Sequence, residues 1–235
     1  MKVAVLLRGN NFLEKDRYGF PMDARDNAQS LLANFLTPIR ERYPEAKLYL
    51  ATYPSPALEE LMETLGPCEL IAQEPEGSSQ IETFKQGLRH IFENDDCEAL
   101  IVTRFDLEFR KSFAYWNLEI NDSCLYFPFK ETLIGWRDHR RVGDAVHVIG
   151  RKVMNEFYSA LIMNQLARRG DLHLLYYFLR VLYGSIRFID AGHWDSNTLF
   201  ANPECNNPLY RIFNRPRLSQ FAPYTGMMPQ EVKGE

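Results

Sequence analysis

The sequence predicts an α/β chain: a doubly wound, mostly parallel central sheet with helices on both faces, and a smaller mixed second half. Three observations point there. Largely apolar runs of strand length recur at residues 2–7, 47–51, 68–72 and 99–102, and the first and last of them read as strands buried in a parallel sheet. Stretches with helical spacing separate them, an order β-α-β-α-β-α-β that right-handed crossovers turn into a parallel sheet. Several of these runs break into polar residues at their carboxyl ends, the edge where open α/β sheets bind ligands.

Each element has its own signal. The first strand ends at Arg8-Gly9-Asn10-Asn11, where Gly9 lets the backbone approach a ligand closely, although no GxGxxG follows. Residues 11–22 form a polar loop, long for a strand-to-helix connection, and read as a flap. Residues 25–43 carry an apolar stripe of Leu31, Leu32, Phe35, Leu36 and Ile39, with Pro38 expected to kink the helix or end its regular part. The second strand runs into Thr52-Tyr53-Pro54-Ser55, and Ser55-Pro56 starts a helix that Gly66-Pro67 stops. A turn-rich loop follows the third strand. The capping box Ser79-x-x-Glu82 then opens a helix striped by Ile81, Phe84, Leu88 and Ile91.

The second half is less regular. Residues 123–129 are strand-like, with Pro128 confining them to an edge or an end. A basic loop is expected at 134–141 and a strand at 145–149. Helices follow at 151–168 and 171–183, and a last strand at 185–189. That strand leads into the polar cluster 190–197. The expected division is one catalytic domain over 1–218, with a donor-binding half at 1–110, an acceptor half at 111–218, and a flexible tail at 219–235.

Composition narrows the function. The 235 residues are 46% hydrophobic, ample for a packed core, and their formal charge of −4 argues against a nucleic-acid partner. Cys68, Cys97, Cys124 and Cys205 are too widely spaced for a zinc cage and read as reduced thiols. The first apolar run is too short for a signal peptide, and no run is long enough to span a bilayer. A soluble, cytoplasmic protein is expected.

The candidate chemistry lies at the strand ends. In residues 99–109 the apolar run gives way to Arg104, Asp106 and Glu108. Two acids so spaced can hold Mn²⁺ or Mg²⁺, with water and a diphosphate at the other coordination positions, and Arg104 can meet an anion. Solvated charges at a strand end would look the same. Arg8 and Lys85 can share the charge of a departing diphosphate; Gln80 and Lys85 sit near a helix N-terminus, where anions are attracted. Tyr53 can stack on a flat ring or cap the core. An inverting transfer at a sugar centre also needs a carboxylate to take the acceptor's proton. Asp144 and Asp190, both at loop–strand junctions, are the candidates, and both are also common turn residues. His193, beside Asp190, Asp195 and Asn197, can complete a metal site or bind the diphosphate. His147, inside an alternating strand, reads as core or as a support behind the site.

The blocks KVAVLLRG, VTRFDLEF, GDAVHVIGRKVMNEF and DSNTLFANPECNNPLYRI, in that order, resemble the small GT-A-type nucleotide-sugar glycosyltransferases of large DNA viruses, including chlorella viruses, and of some bacteria and phages. The resemblance covers most of the first 215 residues as spaced blocks. It implies a GT-A, Rossmann-like fold. It also implies transfer of a sugar from a nucleotide-diphosphate donor, UDP-linked, to a hydroxyl acceptor such as a glycan. It carries metal and diphosphate binding onto Asp106 and Glu108. Nucleotide binding falls on Leu7, Arg8 and Gly9, and base or ribose contacts on Thr52 and Tyr53. A viral origin would place the protein in the host cytoplasm. The chain departs from the pattern in having D-x-E where D-x-D is commoner, so its need for metal is open. Two other functions fit the same features: a sugar nucleotidyltransferase, for which the loop after the first strand is sparse in Gly, Arg and Lys, and a non-catalytic nucleotide or glycan binder.

Overall fold

The computed structural model describes residues 1–16, 19–74, 79–167, 172–195 and 207–214. The expected tail at 219–235, Cys205, and Ser196 and Asn197 of the polar cluster lie outside them. Among the described residues, seven strands form one sheet: β1 (Val3–Arg8), β2 (Lys47–Thr52), β3 (Glu69–Ala72), β4 (Ala99–Arg104), β5 (Leu125–Phe127), β6 (His147–Gly150) and β7 (Arg187–Phe188). Their order is β7-β5-β6-β4-β1-β2-β3. The pairs β1–β2, β1–β4, β2–β3 and β5–β7 are parallel, while β6 runs antiparallel to β4 and β5. The fold class is therefore the expected one, and the mixed second half comes from one reversed strand.

Alternation along the strands divides the core into two layers. Val3, Val5 and Leu7 face one; Ala4 and Leu6 face the other. The first layer takes Leu31, Phe35, Leu36 and Ile39 from helix α1, which begins as Arg25–Leu31 and continues through Leu32–Leu36 into Thr37–Arg42. Phe35 stacks on Phe109 with ring centroids 4.7 Å apart. Helix α2 (Leu58–Leu65) adds Leu61 and Leu65 to this layer. The second layer takes Phe84, Leu88 and Ile91 from α3 (Gln80–Asn94), Phe157 and Leu161 from α5 (Met154–Leu166), and Leu175 and Leu179 from α6 (Leu175–Leu182). α3 lies so close to β1 that a Cβ on Gly87 would come within 2.8 Å of the Leu6 side chain.

Three local expectations are corrected or made specific. Pro38 does not end the helix, but the regular winding does end before it: Leu32–Leu36 is wound as a π-helix and the Thr37 N–H bonds the carbonyl of Leu32, five residues back. That looser turn accommodates a ring that an α-helical interior would reject. The basic stretch 134–141 is not a loop: Leu133–His139 is helix α4, its first turn capped by the Thr132 hydroxyl, which accepts from the Gly135 N–H at 3.4 Å. The expected helix start at 151 is a 3₁₀ turn, Arg151–Val153, ahead of α5. β5 stops at Phe127, just before Pro128.

The strand order creates the crevice. From β1 the chain moves outward to β2 and β3, then crosses back to pair β4 on the other side of β1. At such a reversal the connections leave in opposite directions and open a gap at the carboxyl ends of the two strands. Arg8 and Arg104 are register partners there, each closing its strand at the same level.

Candidate active site

The crevice is built by the last residues of β1 and β4, the start of α3, and the loop before β6. Arg8 is fully buried, over the Phe84 ring at 4.4 Å. Its Nη2 donates to the Asp144 carbonyl at 3.0 Å and its Nη1 to the Gln80 carbonyl at 3.4 Å. Burial, with Arg104 nearby, pushes its guanidinium down to about 9, against the opposing pull of Asp144 and Asp106. A side chain so enclosed ties the loop before β6 to the start of α3.

Arg104 reaches the other side. It grips Asp106 in two places, Nε to Oδ1 at 2.8 Å and Nη2 to Oδ2, and its Nη1 lies 3.8 Å from Asp144 Oδ1. Burial works against its charge, and Asp106 and Asp144 outweigh burial and hold it well above the ordinary arginine value. Gln80 donates from Nε2 to Asp144 Oδ2 at 3.0 Å. The Asp144 carboxyl is buried, which favours its neutral form; His173, Arg104 and Arg8 and the Gln80 hydrogen bond overcome that and hold it well below the usual carboxylate range. Asp144 is thus a firmly held anion and a weak base.

The cluster extends through residues that the sequence reading did not single out. His173 Nε2 is 3.7 Å from Asp144 Oδ2, and His173 Nδ1 is 3.2 Å from Glu131 Oε1. Glu131 in turn pairs with Arg141. Tyr210, fully buried, carries a hydroxyl without a partner among the described residues. Burial, with Asp144 beside it, holds that hydroxyl protonated well beyond the ordinary range. His173 heads the most apolar helical stretch in the chain, and a polar ring in such company was the one available signal.

The remaining expected residues scatter. Leu7 faces the core. Gly9 adopts φ +100°, and a Cβ there would meet nothing within 4 Å among the described residues, so that side of the turn is open while its N–H donates to the Ala51 carbonyl at 3.0 Å. Thr52 is buried and spent internally: its hydroxyl donates to the Gly9 carbonyl at 2.7 Å and accepts from Asn11 Nδ2 at 2.9 Å. The Tyr53 carbonyl accepts from the same amide at 2.8 Å. Lys85 turns away from the crevice and binds Glu82 Oε1 at 3.0 Å and Gln165 Oε1 at 2.8 Å, linking α3 to α5. Asp190 accepts from the Gly192 N–H and from Trp194 Nε1, both at 2.8 Å, as a turn residue does. His147 is packed against Phe84, Phe127 and Phe157, both ring nitrogens are without a hydrogen-bond partner among the described residues, and burial keeps it neutral.

The two acids expected to form a chelate have separate partners. Asp106 is held by Arg104, whereas Glu108, on the small strand Leu107–Phe109, accepts from Arg211 Nε at 2.8 Å on the partly exposed face of the pairing with Tyr210–Ile212. His193 lies in a different small sheet, opposite Lys130, where burial and that lysine lower its basicity. Among the described residues, no three His, Cys, Asp or Glu side chains converge as a cation site. Among them, too, no helix is long and apolar enough to cross a membrane.

No protein-family model matches the sequence, and no curated protein matches it. Solved structures share the fold. A nucleotidyl transferase from Methanothermobacter is similar with a TM-score of 0.50 and 9% identity, over 79% of this chain and 84% of that one. The galactosyltransferase LgtC, solved with donor and acceptor sugar analogs, is similar with a TM-score of 0.45 and 14% identity, over 85% of this chain and 74% of that one. The glycosyltransferase GlyE from Streptococcus pneumoniae is similar with a TM-score of 0.44 and 11% identity, over 80% of this chain and 44% of that one. At these identities the likeness is one of fold.

Proposed function

We propose that the protein is a transferase that takes a sugar from a nucleotide-diphosphate donor, UDP-linked, and passes it to a hydroxyl acceptor such as a glycan. The observation that carries this reading is the pairing of Arg8 with Arg104 at the carboxyl ends of β1 and β4, where the chain reverses direction across the sheet. Nucleotides bind open α/β sheets at such a point. The order of sequence blocks supports the same class.

Each residue then has a distinct task. Gly9 leaves room for the donor to approach the backbone. Arg104, held by Asp106 and Asp144, has its geometry set before the ligand arrives, and a preorganised guanidinium costs less to engage a diphosphate. The N-terminal end of α3, held near by Gln80, adds a dipole of the right sign. Arg8 and Asp144 position these groups. The Asp144 carboxylate is engaged by Gln80, Arg104 and His173, which suits a positioning role better than that of a free base. No step is routed through a metal: among the described residues no three His, Cys, Asp or Glu side chains converge as a cation site.

The test is nucleotide binding followed by turnover. UDP should raise the melting temperature and bind stoichiometrically by calorimetry, and Arg104→Ala should weaken that binding at least about tenfold, as expected for loss of a charge-assisted hydrogen bond. Absence of UDP binding, or an unaffected variant, would remove the assignment. The alternative is a sugar nucleotidyltransferase, favoured by the Methanothermobacter likeness. It predicts pyrophosphate release from UTP and a sugar 1-phosphate, whereas the transferase predicts UDP release from UDP-sugar when an acceptor is supplied.

A further inference from the structure

We propose that His173 is a positioning residue that holds Asp144 at the crevice through its second ring proton, so that the anchoring of Asp144 depends on pH. The inference rests on reading Asp144 as part of the donor crevice, but its test does not require that reading to succeed.

The geometry leaves the ring little choice. His173 is nine-tenths buried. Its Nδ1 lies 2.8 Å from the Val142 carbonyl and 3.2 Å from a Glu131 oxygen, and both groups only accept, so Nδ1 carries a hydrogen. The Val142 N–H donates back to the His173 carbonyl at 3.0 Å, which fixes the backbone under the ring, and the Nδ1 contacts orient the ring itself. Nε2 is thereby aimed at Asp144 Oδ2, 3.7 Å away. A lone pair at Nε2 would face a buried carboxylate with no proton between them; an N–H there makes an ion pair.

The charges around the ring agree. Glu131 and Asp144 face it from opposite sides, Arg141 stands behind Glu131, and Arg104 and Arg8 stand behind Asp144. Burial opposes a charged imidazole, and the two carboxylates outweigh it, so the ring's affinity for its proton rises above that of an ordinary histidine. The His173 ring thus ties three segments: the strand Lys130–Glu131, the loop before β6 and the lead-in to α6. Loss of the Nε2 proton leaves Asp144 to Gln80 and the arginines alone.

The sign follows from linkage. A group whose basicity is raised by folding contributes stability that is complete below its unfolded value, about 6.5, and is lost as the pH rises through the higher folded value. Urea denaturation of the full chain between pH 6 and pH 9 should show wild type well above His173→Asn at the acid end, with the gap closing as the pH rises. A gap that stays constant overturns the proposal. Because His173→Asn can fail to fold, ¹⁵N spectra of the wild-type imidazoles provide a second measurement. Two N–H signals for His173 at neutral pH are expected, and Glu131→Gln should move its titration downward; a neutral ring at that pH overturns the proposal. If UDP does not bind while the gap closes as described, the functional reading fails and this inference stands. If UDP binds while the gap is constant, the reverse holds.

Discussion

The carboxyl edge of the sheet carries two polar networks of opposite character. Beside β2, Asn11, Thr52 and Ser55 join the backbone of Gly9 and Tyr53 through neutral hydrogen bonds in which every named group finds a partner. Beside β4, Arg8, Arg104, Asp106, Asp144, Glu131, Arg141 and His173 are joined largely by charge, and the Tyr210 hydroxyl next to them has no partner among the described residues. The neutral network holds a turn in shape and leaves the Thr52 hydroxyl no proton to offer a ligand. The ionic one keeps formal charges out of water, where their fields are strong and a charged ligand would feel them. A strand end with polar residues is therefore not yet a site; what matters is whether its groups are already satisfied.

That contrast can be broken most severely at Asp144. Asp144→Asn leaves Arg104 and His173 facing a neutral group in a buried setting, and should cost about 3–5 kcal/mol by chemical denaturation. The wild-type carboxyl titrates below its ordinary value, so its contribution is complete above about pH 4 and declines as the pH falls. The variant's acid limb should lack that component; a loss under about 1 kcal/mol would mean that the ionic network is not held as described. Asn11→Ala removes the donor to Thr52 and to the Tyr53 carbonyl and should cost about 1–3 kcal/mol, the same at low and high salt because no charge is involved. A marked salt dependence would erase the distinction between the two networks. Glu108→Gln should change stability by no more than about 1 kcal/mol, since the pair with Arg211 is half-exposed. UDP binding should be unaltered, with or without Mn²⁺; loss of Mn²⁺-dependent binding would restore the chelate that the acid pair suggested.

The parts of the fold that burial dictates were legible. Runs such as 3–7 and 99–102 contain only residues that a strand covered on both faces can hold, so the place of these strands followed from hydrophobicity alone. The capping box at Ser79 located the start of α3 directly. Residues 134–141 read as a loop because charge density outweighs a single capping threonine, and Pro38 marks the break in regular winding without revealing that a π turn makes it. The acid pair shows a subtler limit. Residues two apart share a face only when both belong to a strand. Asp106 lies in the turn that precedes Leu107–Phe109, so Glu108 faces different surroundings.

The amino-acid sequence alone determined the layered α/β architecture and the edge of the sheet at which polar residues gather, because burial and periodicity are properties of neighbouring residues. Only the tertiary structure decided which of those residues meet. Arg8, Asp144 and His173 are far apart along the chain and are brought together by the reversal at β1 and by the antiparallel return of β6. Charges interact through space, and the distance that sets their strength is fixed by packing.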